Sequence, residues 1–307
     1  MPAFGIRYDD TEYNDTDYDA LAAFFAQTDP DGVPNGYKAL YHWHPSYPPT
    51  RGDGVEYDES DIVSSFETER FVVWNRTPVE TDDGARYYGT LLVFSISSCY
   101  IIPDAVSAPD YYGTLDLSGT SLCSLEDNGG PNHLEAIILD NCSQLTSIDY
   151  HGSSGCIRLS ALNCPVDRIQ TASLYELSLS LADADGDLFV DTIGDGGFST
   201  RYDAITNSKV RLLSYSDSGI FQGWYKDGVR VSTEEVFFSE MSGSYTAVFA
   251  GDADDNGILN VIDALTVMRT ALSLRGSETP SFEDINGDGS IGVNDALMLL
   301  RHVLGLK

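Results

Sequence analysis

Apolar positions recur along this 307-residue chain with two distinct periods. In the middle, the pattern apolar-x-x-apolar-x-apolar-x-x-(Cys or small) fits Leu91, Phe94, Ile96 and Cys99, then Tyr112, Leu115, Leu117 and Thr120. It fits again at Leu134, Ile137, Leu139 and Cys142, at Cys156, Leu159, Ala161 and Cys164, and at Leu174, Leu177, Leu179 and Ala182. Successive starts lie 21, 22, 22 and 18 residues apart. A unit of that size cannot bury its apolar face alone, so stacked neighbours must cover it. Near the C-terminus, GDADDNGILNVIDALTVMRTALSL and EDINGDGSIGVNDALMLLRHVLGL superimpose with an offset of 32 residues. Each copy predicts an acidic loop running into an amphipathic helix.

The flanking patterns complete the organisation. Thr16 to Gln27 predicts a helix, with Thr16 and Asp19 as a capping pair, Leu21, Phe24 and Phe25 on the apolar face, and Asp29-Pro30 as the stop. A repeat stack needs a cap over its first apolar layer, and this helix with the stretch to Arg86 is the candidate. Between the repeats and the C-terminal duplication, Lys209–Leu213 and Tyr245–Phe249 predict strands, and Asp227-Gly228 a hairpin turn. The expected divisions are 1–86 as an N-terminal cap region, 87–186 as a repeat solenoid, 187–250 as a small β module, and 251–307 as the duplicated loop–helix segment.

Charge narrows the function. Seventeen basic against 48 acidic residues leave a formal charge of −31, which repels phosphate backbones and anionic surfaces and disfavours nucleic-acid binding. No apolar run is long enough for membrane insertion. The opening MPAFGIRYDDTEYND has no signal-peptide pattern, so secretion implies that the sequence is a mature or recombinant form. The five cysteines, Cys99, Cys123, Cys142, Cys156 and Cys164, are odd in number and do not read as a disulfide framework. Cys99, Cys142 and Cys164 share the inward turn position of the repeat, which predicts buried structural thiols.

The C-terminal loops carry the chemistry. Calcium takes six to eight oxygens, which a 12-residue loop supplies from positions 1, 3, 5, 7, 9 and 12. Loop one offers Asp252, Asp254, Asn256, the Ile258 carbonyl, Asn260 through water, and Asp263, with Gly257 at the turn. Loop two offers Asp284, Asn286, Asp288, the Ser290 carbonyl and Asp295, with Gly289 at the turn and Gly292 leaving its ninth position to water. Residues 251–307 hold nine acidic and four basic side chains, a balance of −5 that two Ca²⁺ bring to −1.

Position 12 is Asp instead of Glu, and a single helix follows each loop. With these features the segment resembles a type I dockerin over its whole length. The resemblance implies two Ca²⁺ and a cohesin domain of a scaffoldin as partner. It also implies a secreted protein, extracellular or held at a cell surface through a cellulosome. In the family the partner is gripped by loop positions 10 and 11 and helix positions 17 and 18. Here these are Val261, Ile262, Met268 and Arg269 in the first copy, and Val293, Asn294, Leu300 and Arg301 in the second. The central pattern resembles irregular bacterial leucine-rich repeats. The segment FQGWYKDGVRVS…YTAVF resembles small β modules repeated in bacterial surface proteins.

The expected fold class is therefore multidomain: mainly a leucine-rich-repeat-like β solenoid plus a small β module, with an α-helical, EF-hand-like dockerin at the C-terminus. Residues 1–250 read as a non-catalytic unit with a glycan or protein ligand. The alternative is a plant-cell-wall polysaccharide-degrading enzyme whose catalytic pair the sequence does not single out. Asp183, Asp185 and Asp187 read as a solvated turn. Arg51-Gly52-Asp53 is too short a match to carry weight. His42-Trp43-His44 beside Tyr41 and Tyr47 reads as cap packing, with an aromatic sugar platform as the sharper alternative.

Overall fold

The structure is a computed structural model. It describes residues 11–36, 72–81, 84–97, 111–127, 133–151, 157–194, 196–206, 209–216, 219–254, 256, 258–274, 276 and 283–306. Cys99, Cys156, Gly257, Arg51-Gly52-Asp53 and the His42-Trp43-His44 group with Tyr41 and Tyr47 lie outside the described residues. The described chain is mostly β-sheet with a few helices. It divides into two compact units, one of Met1–Ser173, Ser178–Asp187 and Arg201–Ser208, the other of Leu174–Leu177, Leu188–Thr200 and Lys209–Lys307.

The first unit begins with β1 (Thr11–Tyr13) and helix α1 (Asp15–Phe25), followed by β2 (Val72–Thr81) and β3 (Gly84–Ser97). Five more strands follow: β4 (Tyr112–Asp116), β5 (Ser124–Asp127), β6 (His133–Ile138), β7 (Ser147–Tyr150) and β8 (Ile157–Val166). Strand β9 (Arg168–Leu181) carries residues of both units. Helix α1 starts earlier than the sequence pattern predicts. Its N-cap is Asn14, whose Oδ1 accepts the Asp17 N–H at 3.2 Å, so Thr16 lies inside the first turn. Tyr18, Leu21, Phe24 and Phe25 are buried, and Phe24 meets Tyr111 edge-on with ring centroids 5.3 Å apart.

The repeat pattern maps onto two parallel ladders. Strands β4, β6 and β8 pair in one, aligning Leu115, Ile137 and Leu159. Strands β3, β5, β7 and β9 pair in the other, aligning Leu125, Ile148 and Ile169. All six of these aliphatic side chains are buried. Leu115, Ile137 and Leu159 are thus equivalent positions of the second, third and fourth units, whereas the first unit lies on β3 of the other ladder and the fifth on β9, so the five units do not form the single regular stack that the pattern predicts.

The turn after each first strand is also repeated. Gly119, Asn141 and Asn163 take left-handed backbone conformations, which Asn tolerates better than other side chains. The next residues, Thr120, Cys142 and Cys164, point inward and are buried. Each cysteine thiol donates to a carbonyl of the preceding repeat, Cys142 to Leu117 and Cys164 to Leu139, both at 3.0 Å. Both are free thiols, as is half-buried Cys123. Asp183 and Asp185 are exposed in a turn, and Asp187 accepts the Ser180 hydroxyl.

Strand β4 would otherwise leave an open edge, which side chains from the α1 segment close. Gln27 accepts the Thr114 N–H and donates to the Thr114 carbonyl, at 2.8 and 2.6 Å. Asn35 does the same with Tyr112, at 3.0 and 2.9 Å. Two side-chain amides thus stand in for a missing neighbouring strand.

In the second unit, residues 188–193 belong to β10 (Asp187–Ile193) and residues 197–200 to β11 (Gly197–Asp203), and the chain continues through β12 (Val210–Tyr215) and β13 (Ile220–Lys226). Strands β14 (Val229–Ser232), β15 (Val236–Ser239) and β16 (Gly243–Ala250) complete the β module. Helices α2 (Val261–Ala271) and α3 (Val293–Val303) follow. Strand β16 pairs with β10 in parallel and with β13 antiparallel. Asp227 and Gly228 both have positive φ, the turn that joins β13 tightly to β14. Trp224 is fully buried, stacks on Phe237 and donates its indole N–H to the Glu235 carbonyl. Phe198, Tyr245 and Phe249 are buried with it, while Phe189, Tyr215 and Phe238 are exposed.

Asn35 is fully buried, so its truncation strands both backbone groups of Tyr112. Asn35→Ala is expected to lower the stability of the first unit by about 2 kcal/mol or more, read as a shift of the urea unfolding midpoint. Truncating exposed Glu135 by the same test should change it by less than about 0.5 kcal/mol.

Candidate metal centre and partner face

The two C-terminal loops fold alike because the same short-range hydrogen bonds recur 32 residues apart. The first-position carboxylate accepts the fifth-position N–H: Asp252 from Asn256 at 3.1 Å, Asp284 from Asp288 at 3.2 Å. The fifth-position side chain accepts the seventh N–H: Asn256 from Ile258 and Asp288 from Ser290, both at 2.9 Å. The twelfth-position carboxylate accepts the ninth N–H: Asp263 from Asn260 at 2.8 Å, Asp295 from Gly292 at 2.7 Å. Gly289 turns the second loop with φ +86°, a conformation that glycine adopts freely.

The two position-12 aspartates do double duty. Each lies in the first turn of its helix, reaches back to the N-cap backbone and is buried. Asp263 takes a second N–H, from Ala253 at 3.1 Å, and Asp295 one from Asn286 at 3.0 Å. Burial pushes the Asp263 carboxyl above its ordinary range, and the charges of Asp254 and Asp252 reinforce the shift against the pull of the two N–H bonds. Asp288 moves the other way, held low by bonds from the Ser290 hydroxyl and N–H.

In the first loop, carboxylate oxygens of Asp252, Asp254 and Asp263 all lie within 4.8 Å of one another. No other such convergence occurs among the described residues. In the second loop, the third position is the neutral Asn286, and Asp288 engages Ser290 instead. Asn260, at the ninth position of the first loop, also has a structural part. Its Oδ1 accepts the Ile262 N–H at 2.7 Å as the N-cap of α2, and its Nδ2 donates to the Ile258 carbonyl.

These donors fit calcium. All are hard oxygens, with no imidazole or thiolate among them, and a buried carboxylate ringed by like charge calls for a divalent counter-ion. Asp252, Asp254, Asn256, the Ile258 carbonyl and Asp263 would hold one ion, and Asp284, Asn286, Asp288, the Ser290 carbonyl and Asp295 a second. A bound ion would replace mutual repulsion by attraction to a common centre.

Helices α2 and α3 pack around a small core of Ala253, Ala264, Val267, Ile285, Ala296 and Leu299. Of the residues placed on the partner face by family resemblance, Val261, Ile262, Arg269, Val293, Asn294 and Arg301 are exposed. Met268 and Leu300 are half-buried and pack against the core instead. Leu265 and Leu297 were not singled out from the sequence, yet they are exposed at 45% and 46%. They sit midway between Val261 and Arg269, and between Val293 and Arg301, at spacings of four residues that put them on one helix face. That spacing was the signal available in the sequence. Both helices end alike, with Ser273 and Gly305 left-handed and the next N–H returned to Arg269 and Arg301 carbonyls at 2.8 Å.

Loops of this pattern, each feeding one helix, form a segment with the oxygen donors of a calcium-binding loop. Residues 250–304 match the family model of the dockerin type I domain. Dockerins of this type bind calcium and attach their chain to a cohesin of the cellulosome, an extracellular assembly. Among curated proteins and among solved structures, none matches the chain significantly. Among the described residues no helix is long and apolar enough to cross a membrane.

Asn260→Ala is expected to cost about 1 kcal/mol, read from thermal loss of the helical signal. Gly292, which gives α3 no side-chain cap, should respond less to the same change.

Proposed function

We propose that the C-terminal segment binds two Ca²⁺ and docks to a cohesin through either of two near-equivalent faces. The observation that carries this reading is the recurrence, 32 residues apart, of both the loop hydrogen bonds and the exposed stripe. The stripe comprises Val261, Leu265 and Arg269 on α2, and Val293, Leu297 and Arg301 on α3. An apolar patch beside an arginine anchor suits a compact interface in which few residues carry most of the energy. Ile262 against Asn294 makes the faces unequal, so one docking mode is preferred.

The front of the chain is a non-catalytic, leucine-rich-repeat-like unit that presents a glycan- or protein-binding surface. Its support is the parallel stacking of equivalent repeat residues, since stacked repeats build extended recognition faces. Arrays of glycans and proteins probed with the full chain should give binding, and a parallel polysaccharide-hydrolase screen should give no turnover. A specific turnover that survives repurification would reassign this part as an enzyme.

Calorimetry on the full chain should show two calcium sites, with Asp263→Ala and Asp295→Ala each removing one. One site in the parent chain would reduce the reading to a single functional loop. With a cognate cohesin, Arg269→Ala or Arg301→Ala alone should weaken binding partly, and the pair by more than about 2 kcal/mol. Abolition by one single substitution would mean that only one face is used.

A further inference from the structure

Strand β16 ends at Ala250, and the first loop carboxylate, Asp252, follows after one residue. Ala250 belongs to the same buried cluster as Ala264, Val267 and Leu299, and Ile220 at the start of β13 packs against it. A tethered module would be reached through an exposed polar linker and would have a core of its own. Here the last residue of the β module is part of the core under the two helices.

A second contact involves the loops themselves. At Gly287, in the fourth position of loop two, an added Cβ would lie 3.1 Å from Arg230 Nη1, 3.6 Å from Gln222 Oε1 and 4.0 Å from Tyr225 Oη. These side chains come from β13 and β14. Next to this contact, Tyr225, Ile193 and Val248 from the sheet face Asp284, Gly289 and Ile291 from the loop across a cleft of about 530 Å³. Gly287 also has φ +68°, so this position disfavours a side chain on backbone grounds.

We infer that the sheet face formed by Gln222, Tyr225 and Arg230 is a built-in docking surface for the second cation loop. Calcium occupancy of the dockerin thereby sets the stability of the β module. The inference rests on the reading that the loops hold calcium. The core between α2 and α3 is small and rich in alanine, so the loops depend on their ion for order. When they lose it, Ala250 and Ile220 lose the surfaces that bury them, and Gln222, Tyr225 and Arg230 lose the loop they support. A ligand that binds only the ordered state stabilises whatever is ordered with it.

The test uses the full chain carrying Trp43→Phe and Trp74→Phe, which leaves buried Trp224 of β13 as the sole tryptophan emitter. Urea unfolding is followed by Trp224 emission and by the far-ultraviolet helical signal, in excess calcium and in chelator. We expect the Trp224 midpoint to rise with calcium by about 1 M or more, in step with the helical signal. Adding Tyr225→Ala and Arg230→Ala should cut that calcium-dependent rise at least by half, whatever those changes do to the chelated protein. A helical transition that responds to calcium beside a Trp224 midpoint that does not would overturn the coupling and leave calcium binding intact. If neither signal responds and calorimetry detects no calcium, the calcium reading itself falls, and the coupling with it.

Discussion

Asp263 and Asp295 must each satisfy a loop, a helix and a charge at once. Each carboxylate closes its loop through the ninth-position N–H, caps the helix that follows, and does so while buried. In the first loop the burial comes with Asp252 and Asp254 close by. Two unit charges at such separations repel by on the order of 3 kcal/mol even in a medium of intermediate dielectric. The alanine-rich core beneath has little apolar surface with which to offset that. A divalent ion turns the same arrangement favourable, so the fold of the segment and its metal chemistry are one problem with one solution.

The first unit meets a related problem with side-chain hydrogen bonds. Parallel ladders leave backbone groups unpaired at their turns and at their edges, and buried unpaired groups are costly. At the turns, Cys142 and Cys164 donate to carbonyls one repeat back. At the β4 edge, Gln27 and Asn35 supply both a donor and an acceptor to the strand. The small, weakly polar side chains that the repeat favours at its inward turn are therefore hydrogen-bonding groups as well as space fillers.

Features fixed by local spacing were legible in the sequence. The recurring hydrogen bonds of the two loops, the helix after each loop, the Asp227-Gly228 turn and the alignment of Leu115, Ile137 and Leu159 all follow from offsets within one or two repeats. What depends on distant partners was not. Asn14 caps α1 in place of Thr16, two residues earlier than the sequence pattern predicts. Nothing local marks Gln27 and Asn35 as substitutes for a strand some 80 residues away. Met268 and Leu300 appeared as surface residues by family position, whereas the packing of α2 against α3 turns them half inward. The closeness of Gly287 to Arg230 has no sequence signature, because glycine in an acidic loop is already explained by its turn.

The duplication is therefore chemically close but mechanically unequal. Loop one has the tighter convergence of carboxylates and a side-chain N-cap at Asn260. Loop two has a neutral third position and a bare glycine before its helix. By local chemistry it is the less well-held half. It is also the half that rests on the β sheet, through Gly287 beside Arg230, Gln222 and Tyr225. External support falls where intrinsic order is lowest, which lets both helices keep their outer stripes exposed. A surface that leaves Val261, Leu265, Val293 and Leu297 in water is unfavourable for an isolated chain, a cost that a partner covering it would remove.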